Sequence, residues 1–162
     1  MSAEKKKQMG VLGLVVALVV VLLGGLVFVG ATSGWFDDPK VVLDVEYYTD
    51  MPEIKDLSVE EYTNLVEAKK SFVIFIDQSG CVTAERVREY LEEYIKEAGF
   101  SAYRMMFSDM KTTSLHDYVK YYPSVVVMDR GTVRAFLRAD VDDDAEMYNN
   151  YDAFKNWLAQ YL

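Results

Sequence analysis

One long uncharged stretch near the N-terminus restricts this chain more than any other feature of its sequence. Residues 9–31 (MGVLGLVVALVVVLLGGLVFVGA) are 23 consecutive residues of Val, Leu, Gly, Ala, Met and Phe. As a helix they extend roughly 34 Å, enough to cross a hydrocarbon core of about 30 Å. We therefore predict a single transmembrane helix over 9–31 that contacts membrane lipid.

The charges on either side of this stretch predict its orientation. Lysines occupy residues 5–7, before the stretch, and aspartates occupy residues 37–38, after it. Because basic residues are retained on the cytoplasmic side of a membrane, residues 1–8 are expected in the cytoplasm. The predicted localisation is the cell membrane, with a single pass and the remaining chain outside the cytoplasm.

A cleaved signal peptide is the alternative interpretation of the same stretch. The small residues Val29, Gly30 and Ala31 form an acceptable cleavage site. The apolar core of a signal peptide is usually about 7–15 residues, which is shorter than the stretch found here. The length favours an uncleaved anchor, and cleavage after Ala31 stays open.

The charge and the metal-binding residue types exclude several classes of function. From Thr32 onward the chain has 14 Lys/Arg against 25 Asp/Glu, a net charge of −11, and no basic stripe alternates with aromatic residues. This argues against nucleic-acid binding.

Cys81 is the only cysteine and His116 the only histidine, so neither an internal disulfide nor a Cys/His zinc site is available. We expect no metal and no cofactor. The acidic run 142–144 lacks the spaced ligands of a calcium loop and is predicted to be a solvated turn.

Hydrophobic spacing and cap signals predict the elements of the remaining chain. Residues 32–57 indicate a tether followed by an extended segment, and Ser58 with Glu61 is a capping box at a helix start. The later elements follow from apolar periodicity and turn residues. In chain order they are a strand over 71–76, a helix over 82–99, a strand over 100–107, a short helix over 113–122 with Ser114 as N-cap, a hairpin over 123–139 and a helix over 151–162.

This order predicts an α/β sandwich made of a βαβ half and a ββα half. Over residues 58–162 it resembles the thioredoxin-like superfamily. Cys81 follows a buried strand and begins a long helix, and Pro123 begins a strand after a short helix. A hairpin (MDRGTVRAF) and a last helix then close the chain, as in the family. The resemblance implies a central mixed sheet flanked by helices and a cis peptide bond before Pro123.

The resemblance also implies a site. The resemblance implies that Cys81 is the catalytic nucleophile of this site and that Gly80, Tyr122 and Pro123 contact the substrate. Ala84 stands where many members carry a second cysteine, so the motif here is C-V-T-A. Gly80 replaces the family's aromatic residue before the cysteine, and the predicted strand SFVIFI lacks the buried acid of many thioredoxins. Among narrower groups, the chain is similar to extracytoplasmic thioredoxin-like proteins, including bacteriocin transport accessory proteins.

Three functions stay open from the sequence. In the first, Cys81 is a monothiol that exchanges disulfides with a small thiol or an extracytoplasmic client protein, and an external thiol resolves the product. In the second, a redox-inactive domain binds an extended peptide along the Pro123 edge. In the third, the chain is a scaffold or accessory subunit and Cys81 is only packed. A homodimer linked through Cys81 is a further alternative. His116 is expected to be solvated or capping, not a base for Cys81.

Overall fold

A computed structural model of the chain describes residues 39–162. The predicted membrane helix at 9–31 and the first part of the predicted tether lie outside the described residues. Within residues 39–162, no helix combines the length and the apolar content that crossing a bilayer requires.

A mixed sheet of five strands forms the centre of the described domain. Its strands are β1 (Ile54–Asp56), β2 (Phe72–Asp77), β3 (Ala102–Met106), β4 (Ser124–Asp129) and β5 (Thr132–Phe136), and they lie side by side in the order β1-β3-β2-β4-β5. β3 runs parallel to both β1 and β2, whereas β4 is antiparallel to β2 and β5 is antiparallel to β4. The predicted fold class, a central mixed sheet flanked by helices, is therefore confirmed.

The middle strand, β2, is the most deeply buried segment. All six of its residues are buried, and the apolar side chains from Phe72 to Ile76 have no exposed surface. Burial of each such side chain contributes about 1.5–3 kcal/mol to stability. A strand buried on both faces needs layers above and below it. The sequence predicted this from the uninterrupted apolar run.

Within residues 39–162, four α-helices and three 3₁₀ helices surround the sheet. The α-helices are α1 (Val59–Glu67), α2 (Val82–Ala98), α3 (Phe107–Met110) and α4 (Tyr151–Tyr161), and the 3₁₀ helices are Val45–Tyr47, Ser114–Asp117 and Asp142–Tyr148. The predicted capping box is present, because Ser58 accepts from the Glu61 N–H and Glu61 accepts from the Ser58 N–H. Gly99 ends α2 in the left-handed conformation, as expected.

The stretch between β3 and β4 differs from the prediction in two respects. The predicted strand 100–107 is shorter, because Phe107 begins the single helical turn α3. The predicted helix over 113–122 is one 3₁₀ turn, and its N-cap is Thr113 instead of Ser114. The Ser114 hydroxyl is 2.9 Å from the Tyr62 hydroxyl, so it is engaged across the fold and does not cap the turn.

The folded unit also begins earlier than predicted. The sequence indicated a tether and extended segment up to residue 57, but the compact unit starts at Lys40. Val41, Leu43 and Tyr47 are buried in the core, and Ile54–Asp56 form the edge strand β1. These buried residues alternate with exposed ones over very short elements, so they have no periodicity long enough to detect.

We expect Gly131→Ala to destabilise the domain more than a matched glycine substitution. Gly131 has a φ of +77°, and a Cβ there would lie 2.5 Å from the Val66 carbonyl oxygen. The hairpin turn would have to move away from the end of α1, at a cost of about 3 kcal/mol in the free energy of unfolding. Urea denaturation followed by circular dichroism measures the loss.

Gly99→Ala is the control for this substitution. Gly99 has a φ of +74°, but a Cβ there would meet nothing within 4 Å. The only remaining cost is that of placing alanine in the left-handed backbone conformation, about 1 kcal/mol in the free energy of unfolding. Equal losses for the two variants would contradict the close approach of the hairpin turn to α1.

Candidate thiol site at one end of the sheet

Cys81 is the N-cap residue of α2, the longest helix described. Its backbone is extended (φ −99°, ψ 111°), its carbonyl accepts from the Glu85 N–H at 3.0 Å, and its own N–H donates to the Gln78 carbonyl at 3.3 Å. The thiol is free, makes no capping hydrogen bond and is half-buried. Unpaired N–H groups and the helix dipole at such a position favour a negatively charged group.

The strand pairing brings Pro123 to the same end of the sheet as Cys81. Ser124, the first residue of β4, lies opposite Ile76 near the end of β2. Because the two strands are antiparallel, the loop that leaves β2 toward Cys81 and the segment that enters β4 through Pro123 meet at one edge. The Tyr122–Pro123 peptide bond is cis, as predicted. Gly80, Cys81, Tyr122 and Pro123 are thus gathered at one end, and their functional roles remain predictions.

A buried hydrogen bond ties the Pro123 segment to α2. The Tyr148 hydroxyl donates to the Pro123 carbonyl at 3.0 Å. Arg86, on the second turn of α2, donates to the Tyr148 carbonyl at 3.4 Å and to the Asn149 side chain at 2.6 Å. Burial and the nearby acidic side chains raise the pKa of Tyr148 well above its usual range, so its hydroxyl remains a donor. These contacts fix the Pro123 segment relative to the helix that begins at Cys81.

The 3₁₀ helix that carries Tyr148 is itself held by an ion pair. Asp144 accepts from the Arg138 guanidinium at 2.8 and 3.1 Å and from the Arg138 N–H at 2.7 Å. Burial alone would raise the pKa of Asp144, but the hydrogen bonds and the charge of Arg138 outweigh it, and the pKa is lowered. The predicted solvated acidic turn at 142–144 is therefore wrong for Asp144, which is buried.

Aromatic residues surround the Pro123 segment. Tyr122 packs edge-on against Phe107, with 4.8 Å between ring centroids, and the Lys111 ammonium lies over the Phe107 ring. Tyr118 and Tyr121 are exposed and line a cavity of about 140 Å³ beside the segment. An extended chain placed along this edge would meet aromatic rings next to backbone hydrogen-bonding groups.

The residues next to Cys81 provide no second thiol, and one of them is an exposed apolar side chain. Ala84, in the position of a second cysteine, is 1% exposed and has no polar atom on its side chain. Gly80 has a φ of +74°, and a Cβ added there would meet nothing within 4 Å. Val82 is exposed. The surface beside Cys81 is therefore partly apolar.

One buried acid near the site was missed by the sequence analysis. β2 continues one residue beyond the predicted strand, to Asp77, which is buried. Asp77 accepts from the Gln78 N–H at 2.7 Å, and its other oxygen is 3.7 Å from the Arg104 guanidinium. The signal in the sequence is an acid directly after an apolar run. His116 lies exposed on the 3₁₀ turn 114–117. Residues 39–162 contain no group of three His, Cys, Asp or Glu side chains that could hold a metal ion.

Comparisons with known proteins identify the fold. A mutant thioredoxin from Halobacterium salinarum NRC-1 superposes with a TM-score of 0.52 at 10% identity, over 70% of this chain and 93% of that chain. Plasmodium falciparum thioredoxin gives a TM-score of 0.52 at 15% identity, over 67% of this chain and all of that chain. Mitochondrial thioredoxin 3 from Saccharomyces cerevisiae gives a TM-score of 0.50 at 15% identity, over 65% of this chain and 93% of that chain.

These likenesses concern the fold. No protein-family model and no curated protein matches the sequence. The structural neighbours are thioredoxins, and this likeness shows that the described part of the chain has a thioredoxin-like fold.

We expect Tyr148→Phe to loosen the Pro123 segment. The substitution removes the buried hydroxyl that donates to the Pro123 carbonyl, at a cost of about 1–2 kcal/mol in the free energy of unfolding. Urea denaturation measures the change. Tyr151→Phe is the control, because the Tyr151 hydroxyl donates to Glu97 at an exposed position, where a lost bond costs less. A larger loss for Tyr151→Phe would contradict the role assigned to Tyr148.

Proposed function

We propose that this chain is a membrane-tethered, extracytoplasmic thioredoxin-like protein that carries out thiol–disulfide exchange through the single thiol of Cys81. One observation carries the proposal. A free, half-buried cysteine occupies the N-cap position of a helix of 17 residues, at the sheet end that also holds the cis Tyr122–Pro123 bond. A thiolate is the reactive form of cysteine, and a helix N-terminus is the backbone environment that favours it.

The exchange has two steps. The Cys81 thiolate attacks one sulfur of a client disulfide, a new S–S bond forms to Cys81, and the client's second sulfur leaves as a thiolate that takes up a proton. An external thiolate then attacks the client sulfur of this mixed disulfide. The bond to Cys81 breaks, and Cys81 leaves as a thiolate. The disulfide has moved to the external thiol, and no net oxidation has occurred.

The thiol that performs the second step must come from outside the domain, because position 84 is an alanine. A dithiol enzyme resolves its mixed disulfide with a second cysteine one helical turn after the first. Here that position carries a buried methyl group, and no other cysteine exists in the chain. The resolving thiol is therefore a small thiol or a thiol of the client protein.

The tethering part of the proposal is supported by the sequence. Residues 9–31 are long and apolar enough to cross a bilayer, with lysines before them and aspartates after them. An oxidising compartment outside the cytoplasm is where protein disulfides accumulate. A client with a disulfide is therefore available where the thiol is proposed to lie.

A redox-inactive peptide-binding domain is the second candidate function. It is favoured by the exposed rings of Tyr121 and Tyr122 beside Pro123. An extended client peptide would pair with backbone groups along this edge, as in strand addition. In that case Cys81 would not form a covalent intermediate, and replacing its sulfur would leave client binding intact.

Restoring the missing thiol separates the two candidates. The full chain in detergent micelles is treated with glutathione disulfide, and its mass is followed. The wild type is expected to gain one glutathione, which persists until an external thiol is added. Ala84→Cys is expected to release that glutathione and form an internal disulfide, since residues three apart in a first helical turn are close enough to bridge.

Two variants control this experiment. Ala84→Ser has the same size as the cysteine variant but no thiol, and it is expected to retain glutathione as the wild type does. Cys81→Ser is expected to gain none. A wild-type thiol that stays unmodified until the protein is denatured would refute the exchange mechanism and leave the peptide-binding candidate.

A further inference from the structure

The exposed large hydrophobic side chains of residues 39–162 fall into two groups. One group lies around the thiol site and consists of Val82, Tyr118, Tyr121 and Tyr122. The other group, named here the distal patch, consists of Val42, Val45, Tyr48 and Met51. Exposure reaches 78% for Val42, 84% for Val45 and 83% for Met51. Thiol exchange at Cys81 does not account for the distal patch.

The distal patch lies at the end of the sheet opposite Cys81. Asp44, in the middle of the patch, accepts from the Ser71 N–H at 2.7 Å, and Ser71 directly precedes β2. Cys81 follows the other end of β2, and six strand residues span about 20 Å. The Thr49 N–H donates to the carbonyl of Gly99, which ends α2, whereas Cys81 begins that helix. β2 and α2 therefore each place the patch and the thiol at opposite ends of the domain.

The chain enters the domain at this same end. The Val41 N–H donates to the Tyr161 carbonyl at 2.6 Å, and the Lys40 ammonium donates to the Ala159 carbonyl at 2.6 Å. Val41 is three residues from Asp44, so the entry point adjoins the patch. Only eight residues, 32–39, separate it from the apolar stretch that ends at Ala31. Such a segment reaches at most about 28 Å.

Charges of both signs lie around the distal patch. Lys70 lies 3.4 Å from Asp44 and 3.1 Å from Glu46. Lys69 and Arg130 line a groove of about 570 Å³ together with three residues of the patch, Val42, Val45 and Tyr48. Residues 42–51 also contain Asp44, Glu46 and Asp50, so cationic and acidic side chains are mixed at this end of the domain. Apolar side chains mixed with long cations are typical of surfaces that meet lipid head groups.

We propose that the distal patch docks on the phospholipid bilayer that anchors the chain. The inference rests on the membrane anchor of the proposed function. A tether of eight residues holds the patch near the lipid surface at high effective concentration, so a few exposed apolar side chains suffice for contact. Docking at this end turns Cys81 and Pro123 away from the bilayer, toward clients in the surrounding space.

Site-specific fluorescence in lipid tests the proposal. The full chain with Cys81→Ser is given one new labelling site, either Val45→Cys in the distal patch or Val82→Cys at the thiol end, and an environment-sensitive dye. Both positions are exposed valines, which makes them a matched pair. In phosphatidylcholine vesicles that contain spin-labelled lipid, the dye at 45 is expected to be quenched several-fold more than the dye at 82. Adding Val42→Asp is expected to abolish the difference.

The outcomes distinguish this inference from the anchor itself. Flotation of the vesicles reports the anchor, and the dye reports docking. A chain that floats with the vesicles while both dyes remain equally unquenched by lipid would refute docking and leave the anchor intact. A dye at 45 that is shielded from aqueous quencher but not quenched by lipid would also refute it, because protein would then cover the patch. A chain that does not float would refute the anchor, and docking with it.

Discussion

The antiparallel pairing of β2 with β4 is the contact on which the site depends. It places Ile76 opposite Ser124, and so brings the end of one buried strand beside the start of another. Cys81 and Pro123 are far apart in the sequence, and only this register brings their segments to one edge. A shift of the register by one residue would turn each side chain of β4 to the opposite face. Because β4 is packed on both faces, every one of these side chains would meet new neighbours, and the close-packed core resists the shift. The geometry of the thiol site is thus set by hydrophobic burial in the middle of the sheet.

The parts of the fold that sequence reasoning predicted are those with strong local signals. Phe72–Ile76 is an unbroken apolar run, α2 has regular apolar spacing and a terminal glycine, and Ser58 with Glu61 specifies a helix start. Each signal lies within one element and does not depend on the rest of the chain. The cis bond before Pro123 was implied by the family resemblance and is present.

The parts that could not be predicted depend on contacts between distant residues. Asp144 resembles its exposed neighbours in an acidic run, and only its bonds to Arg138 make it a buried anchor. Ser114 looks like a helix cap until Tyr62 engages it. Val41 and Leu43 lie in a segment too short to show periodicity, and they become core because the start of the folded unit bonds to Tyr161. Tyr148 has no local signal for its bond to Pro123.

The covalent state of Cys81 in native membranes tests the central claim most directly. Membranes are quenched with acid and an alkylating reagent, the chain is purified without reductant, and the peptide that contains Cys81 is analysed by mass spectrometry. The account predicts a measurable fraction of Cys81 in mixed disulfide with a small thiol or with another protein. A thiol that is always unmodified, and that reacts with the reagent only after the protein is unfolded, would contradict it.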